Sequence, residues 1–221
     1  MRAQIPATGV WRYTAHKGVK VHKVFKGGRF RTLLEIFESG SLIITGNAVA
    51  DIWVLNAGGS GNNTSDGGRI SEQYNVPLSG RYRLTVGKSR GTSPATLTNV
   101  VPPAYGNLSR FGEIGASFQL APGSGGNANQ TSPTQASIPR VPFDLFEHIG
   151  RIAGGGGRQT LFDTATPPAV TSPATNGYDG GGNGNNFNAT KYGAGGGGTI
   201  GRPYQGVIYV LFNTLIPRAS P

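Results

Sequence analysis

Val19 to Phe25 and Phe30 to Phe37 are two apolar-rich stretches on either side of Lys26-Gly27-Gly28-Arg29. Together they predict a β-hairpin whose glycines form the turn. Val10 to Tyr13 predicts a short strand or an extended arm ahead of it. Leu42-Ile43-Ile44, Ile52 to Leu55 and Ile70 to Val76 follow as further β segments. Tyr82, Leu84 and Val86 then alternate with Arg83 and Thr85, the pattern of a half-buried strand. Phe118 and Leu120 continue the pattern, and Val207 to Phe212 is the last strand. Roughly eight to ten strands punctuated by Gly and Pro argue for an all-β sandwich. One short helix is predicted at Phe143 to Ile149, with Pro142 suited to its start and Gly150 to its stop. Asn127 to Ser137 and Thr164 to Asn176 are low in complexity and read as exposed loops.

Glycine changes this picture, at 37 of 221 residues. There is no strict Gly-X-Y period, which excludes collagen. The runs are Gly58-Gly59, Gly125-Gly126, Gly154-Gly155-Gly156-Gly157, Gly180-Gly181-Gly182 and Gly195-Gly196-Gly197-Gly198. One reading is flexible linkers. The other is a bundle of polyglycine II helices, which lack internal hydrogen bonds and must bond N–H to C=O between neighbours. Ordering glycine is entropically expensive, so such a bundle has to pack closely, where no Cβ intrudes. The flanks favour the bundle, because the first run follows Trp53-Val54-Leu55 and the last precedes Val207 to Phe212.

The formal net charge is +10 and unevenly placed. Eight of the twenty Lys and Arg lie in the first 31 residues, and no acidic residue occurs before Glu35. Lys17, Lys20, Lys23, Lys26, Arg29 and Arg31 are therefore expected to dock on acidic groups of another protein chain. The same region, with Trp11, Tyr13, Phe25 and Phe30 interleaved, also fits nucleic acid through phosphates, a reading held as the alternative. Cysteine is absent, which excludes disulfides and thiolate metal sites. No apolar run approaches the ~20 residues of a membrane span. The N-terminus lacks the apolar core of a signal peptide, so the expectation is a chain made in the cytoplasm that leaves only within a particle.

The order of signals carries a resemblance. Asp51-Ile52-Trp53-Val54-Leu55-Asn56-Ala57-Gly58-Gly59 runs a strand into glycines. Tyr82-Arg83-Leu84-Thr85-Val86-Gly87, Ser109-Arg110-Phe111-Gly112, the glycine tracts and Gly206-Val207-Ile208-Tyr209-Val210 follow in turn. Over about residues 40 to 213 the chain resembles the glycine-rich domain of bacteriophage tail and tail-fibre proteins. It is more distantly similar to the glycine-rich domain of the anaplastic lymphoma kinase receptors. The resemblance implies a jelly-roll-like antiparallel sandwich carrying a cluster of polyglycine II helices. For phage members it implies a virion tail protein, often at the host-contacting end, and a homo-oligomer. The chain departs from the pattern at Ser60, in an insertion between Gly126 and Gly154, and at Asn183, Asn185 and Asn186. Residues 1–39 are then a basic arm and first strands serving attachment, and 40–221 the glycine-rich domain.

No active site is evident, and no cofactor is implied. Asp144, Glu147 and His148 share one face of the short helix but are better read as a solvated turn than as metal ligands. The glycine runs lack the Gly-Lys-Ser or Gly-Lys-Thr of a phosphate loop. Nucleophilic catalysis and glycoside cleavage find neither a base beside a hydroxyl nor paired carboxylates. The expectation is a non-enzymatic tail component serving attachment or host recognition. Its rivals are a purely structural tail or baseplate subunit, a nucleic-acid-binding protein, and a soluble relative of the receptor module. Tyr178 and Phe187, each alone in a polar loop beside glycines, are the candidate host contacts.

Overall fold

The computed structural model describes residues 11–59, 68, 70–88, 109–112, 161–162, 170–172, 188–190, 192–196 and 204–213. Its strands are β1 (Arg12–Ala15), β2 (Val19–Lys26), β3 (Arg29–Ile36), β4 (Gly40–Leu55), β5 (Ile70–Thr85), β6 (Arg110–Phe111), β7 (Leu161–Phe162), β8 (Val170–Ser172) and β9 (Val207–Phe212). Among the described residues there is no helix. Seven strands form one antiparallel sheet in the order β2-β3-β9-β4-β5-β6, with β1 paired to β4. The remaining two, β7 and β8, make a separate two-stranded sheet. The all-β class and the β2–β3 hairpin are as the sequence predicts. The stretches at Phe118–Leu120 and Phe143–Ile149 lie outside the described residues.

Three expectations are corrected. The segments expected at Leu42–Ile44 and Ile52–Leu55 are one strand of 16 residues, β4. Those at Ile70–Val76 and Tyr82–Val86 likewise merge into β5, also of 16 residues. Gly46, Pro77 and Gly80 lie between the expected segments, and the backbone runs through them. Gly46 (φ 86°) and Gly80 (φ 82°) supply left-handed conformations at a register shift between Ile44 and Ala48. Pro77 sits where β5 has no second described strand beside it, so its missing N–H breaks no ladder bond there. Within the expected loop Thr164–Asn176, Val170–Ser172 forms β8. Its β-branched residues lie between Pro168 and Pro173, which exclude helix but allow extended backbone.

A second shift, between Ala50 and Ile52, leaves Asp51 unpaired with β5. Its carboxylate is buried and accepts hydrogen bonds at Oδ1 from the Asn75 N–H (2.8 Å) and Asn213 Nδ2 (2.7 Å). Asn75 itself adopts φ 53°, a left-handed conformation that Asn tolerates. Bulges sharpen the bend of a ribbon, and here they fold it in half. A straight strand of β4's length would hold its ends about 50 Å apart. Yet Gly87, just past the β5 end that pairs with Gly40, accepts a bond from Gly206 N–H (2.8 Å) beside Leu55. Its own N–H bonds Ser109 Oγ (2.9 Å), and Ser109 N–H bonds Asn56 Oδ1 (2.8 Å).

The doubled sheet encloses its main core. Leu34, Ile36, Ile52, Val54, Ile208, Val210 and Phe212 come from one half. Trp11, Leu42, Ile44, Leu84, Val86 and Phe111 come from the other. Trp11 lies 4.4 Å from Phe212 between ring centroids. A second cluster covers the outer face of the first half: Val24, Leu33, Trp53, Leu55, Val207, Tyr209 and Leu211, with Tyr192 against it. That is why all six residues of β9 are buried: it lies between β3 and β4 with side chains packed on both faces. Strands from either side of residues 39 and 40 share this sheet and core, through β3 and β9.

Candidate functional site

The predicted docking cations lie on or next to the β2–β3 hairpin. Gly27 (φ 61°) and Gly28 (φ 76°) make its turn, and eight residue pairs hold its register from Val19–Ile36 to Lys26–Arg29. Because strand side chains alternate, the cations divide between two faces. Lys20, Arg29 and Arg31 share the face of His22, Val24 and Glu35, whereas Lys23 shares the other with Val21, Phe25 and Phe30. Lys17 is exposed just before β2, and Lys26 pairs with Arg29 in the register.

On the first face the chain supplies its own acid. Glu35 is buried, accepts hydrogen bonds from His22 Nε2 (2.8 Å) and the Tyr192 hydroxyl (2.9 Å), and has Lys20 Nζ at 3.9 Å. Burial, then the Glu35 hydrogen bond and charge, push the Tyr192 hydroxyl far above its ordinary value of 10.0. Burial does the same to Tyr209, which pairs with Glu35 across β3 and β9. Arg31 Nη1 donates to Asn213 Oδ1 (2.6 Å), and Arg29 Nη2 to the Asn213 carbonyl (3.3 Å). These groups bind the edge hairpin and the Tyr192 segment to the sheet. Glu35 is a functional residue that the sequence alone does not single out. Its one signal was a lone acid inside Leu33-Leu34-Glu35-Ile36, a polar group that must find partners when buried.

The second face is different. Val21, Phe25 and Phe30 are 55%, 58% and 65% exposed, large values for apolar side chains on a regular hairpin. The two rings meet edge to face at 5.2 Å, so they form one apolar surface rather than scattered contacts. Lys23 lies among them. Among the described residues no strand pairs with the outer edge of β2; an unpaired edge is a template for a further strand.

Of the predicted glycine cluster, Gly58, Gly59, Gly195 and Gly196 are described; Gly125, Gly126, Gly154–Gly157, Gly180–Gly182, Gly197 and Gly198 lie outside the described residues. So do Tyr178 and Phe187, and Asp144, Glu147 and His148. The described segments lie side by side and bond across. Gly58 N–H donates to the Tyr204 carbonyl (3.0 Å), Tyr204 N–H to Ala194 (2.8 Å), Gly193 N–H to Gln205 (2.7 Å) and Gly68 N–H to Gly193 (2.6 Å). A Cβ at Gly58 would strike the Ala194 carbonyl, and one at Gly68 the Asn56 carbonyl. Gly195 and Gly196 are buried beside them.

Among the described residues no three His, Asp or Glu side chains gather as metal ligands. The chain matches no family model, no curated protein and no solved structure.

Proposed function

We propose that this chain is a non-enzymatic bacteriophage tail component that attaches to neighbouring tail proteins through its β2–β3 hairpin. The observation that carries the attachment is the exposed Val21–Phe25–Phe30 surface, beside Lys23, on a strand whose outer edge is unpaired among the described residues. Apolar anchors supply binding energy, while the surrounding cations steer an acidic partner and exclude basic ones. Lysines along a free edge also oppose indiscriminate pairing, which suits an edge that accepts one acidic strand. The phage assignment rests on the ordered motifs from Asp51 to Val210. In this reading the doubled sheet belongs to a jelly-roll-like sandwich, and the cross-bonded segments at Gly58, Gly68 and Gly193–Gly196 to a polyglycine II cluster. The close backbone contacts at Gly58 and Gly68 support that reading. Tyr178 and Phe187 remain the proposed host contacts, and a homo-oligomer the proposed assembly.

The test is made on particles. Mass spectrometry of purified virions should find the chain, and its absence would remove the tail assignment. Phe25→Ser with Phe30→Ser should leave the melting temperature within a few degrees while the protein drops out of the particle, because both rings are exposed already. Normal incorporation of that variant would move the attachment surface elsewhere.

A further inference from the structure

The doubled sheet turns one more face outward: the surface of β1, the first half of β4, the second half of β5, and β6, opposite the main core. Arg81 pairs across from Ile43, Arg83 from Ser41, Arg12 from Thr45 and Arg110 from Thr85, so all four arginines stand on this face. Arg12, Arg81 and Arg83 are exposed, and Arg110 is half-buried. Arg81 and Arg83, with Gly40 and Ser41, line a concavity of about 360 Å³. Gly40 is fixed by His16, whose ring lies where a Cβ would be and whose Nε2 donates to the Glu38 carbonyl (2.8 Å).

Among the described residues these arginines have no acidic counterpart. Residues 12–15, 40–45, 78–85 and 110–111 contain no Asp or Glu, and among the described residues no carboxylate forms an ion pair with any of the four. Like charges held on one rigid sheet repel, a cost that an anionic ligand would remove. Arg forks match carboxylates bidentately. Thr14, Thr45 and Ser41 lie between them, with hydroxyls suited to a polyhydroxylated chain. No exposed aromatic ring stands on this face among the described residues, since Tyr13 and Tyr82 pack against the core. A single-stranded nucleic acid uses such rings for base stacking.

We infer that this arginine face binds a carboxylate-bearing polysaccharide, with Arg81 and Arg83 as the principal contacts. The inference deepens the attachment reading by giving it a ligand class. It rests on that reading for its setting alone, because it concerns the purified chain.

Binding of the full chain to polygalacturonate, dextran sulfate, neutral dextran and single-stranded DNA of similar length would be measured at low and moderate salt. Polygalacturonate should bind and weaken with salt, and neutral dextran should not bind. Arg81→Gln with Arg83→Gln should lower polygalacturonate affinity about tenfold or more at an unchanged melting temperature. The hairpin variant Lys17→Gln with Lys23→Gln should change it much less. An equal loss in the hairpin variant, or none in the Arg81/Arg83 variant, would overturn the site. Tighter binding of DNA or dextran sulfate than of polygalacturonate would overturn the ligand class, and binding of none of the probes would overturn both. The virion assay can fail while this succeeds, and the reverse, so the two readings fall separately.

Discussion

At the scale of single residues, the glycines separate into two kinds that sequence alone does not distinguish. Gly28 adopts φ 76° with open space where a Cβ would go, so Gly28→Ala should lose only about 1 kcal/mol of backbone preference. Gly58 has an ordinary backbone but touches the Ala194 carbonyl, so Gly58→Ala forces neighbouring main chains apart. Its cost should be about 3 kcal/mol or more, at the upper end of overpacking. Urea denaturation of both variants checks this, and equal midpoints would show that the close approach at Gly58 is not a structural requirement. Tyr209 gives a pH dependence. Its folded-state value is raised by burial above the unfolded 10.0, so its contribution is fully present below pH 10 and is lost as pH rises beyond it. Unfolding free energy should fall above about pH 10 by up to about 1.4 kcal/mol per pH unit for this group. Tyr209→Phe should flatten that slope in urea titrations at stepped pH.

At the scale of elements, β4 and β5 owe their shape to two bulges, one polar and one built on glycine. Asp51 joins three elements, accepting from Asn75 on β5 and from Asn213 beyond β9, which in turn accepts from Arg31 on β3. Removing the carboxylate leaves the Asn75 N–H and the Asn213 amide short of an acceptor. Asp51→Ala should therefore cost about 2–3 kcal/mol. Hydrogen exchange should show the loss first at Asn75 and Asn213, before the β9 core amides, if the bulge opens locally. Uniform loss across β9 would instead mean that the bulge and the central strand form one cooperative unit. The hairpin, by contrast, was legible in sequence: Gly27-Gly28 between two apolar-rich runs specifies its turn locally.

At the scale of the whole molecule, the sheet carries two surfaces different in character: an apolar, lysine-bearing edge on the hairpin and an arginine face on the other half. The sequence by itself determined the all-β class, the β2–β3 hairpin and the strand at Val207–Phe212, because these follow from side-chain character and turn chemistry within a few residues. It also placed the positive charge early in the chain. It did not determine how that charge is used: Glu35 stands beside Lys20 and His22 across the hairpin, but its partner Tyr192 comes from far along the chain and reaches it only once the sheet has formed. Nor did it show that Gly46 and Gly80 bend strands rather than end them. Arg12, Arg83 and Arg110 lie far apart in sequence and share a face only because β1, β4, β5 and β6 pair in this order and register. Tertiary structure decided those points for one physical reason. Pairing order and bulge position are fixed by contacts between residues remote in sequence, whose free energy exists only once the sheet has doubled over its core.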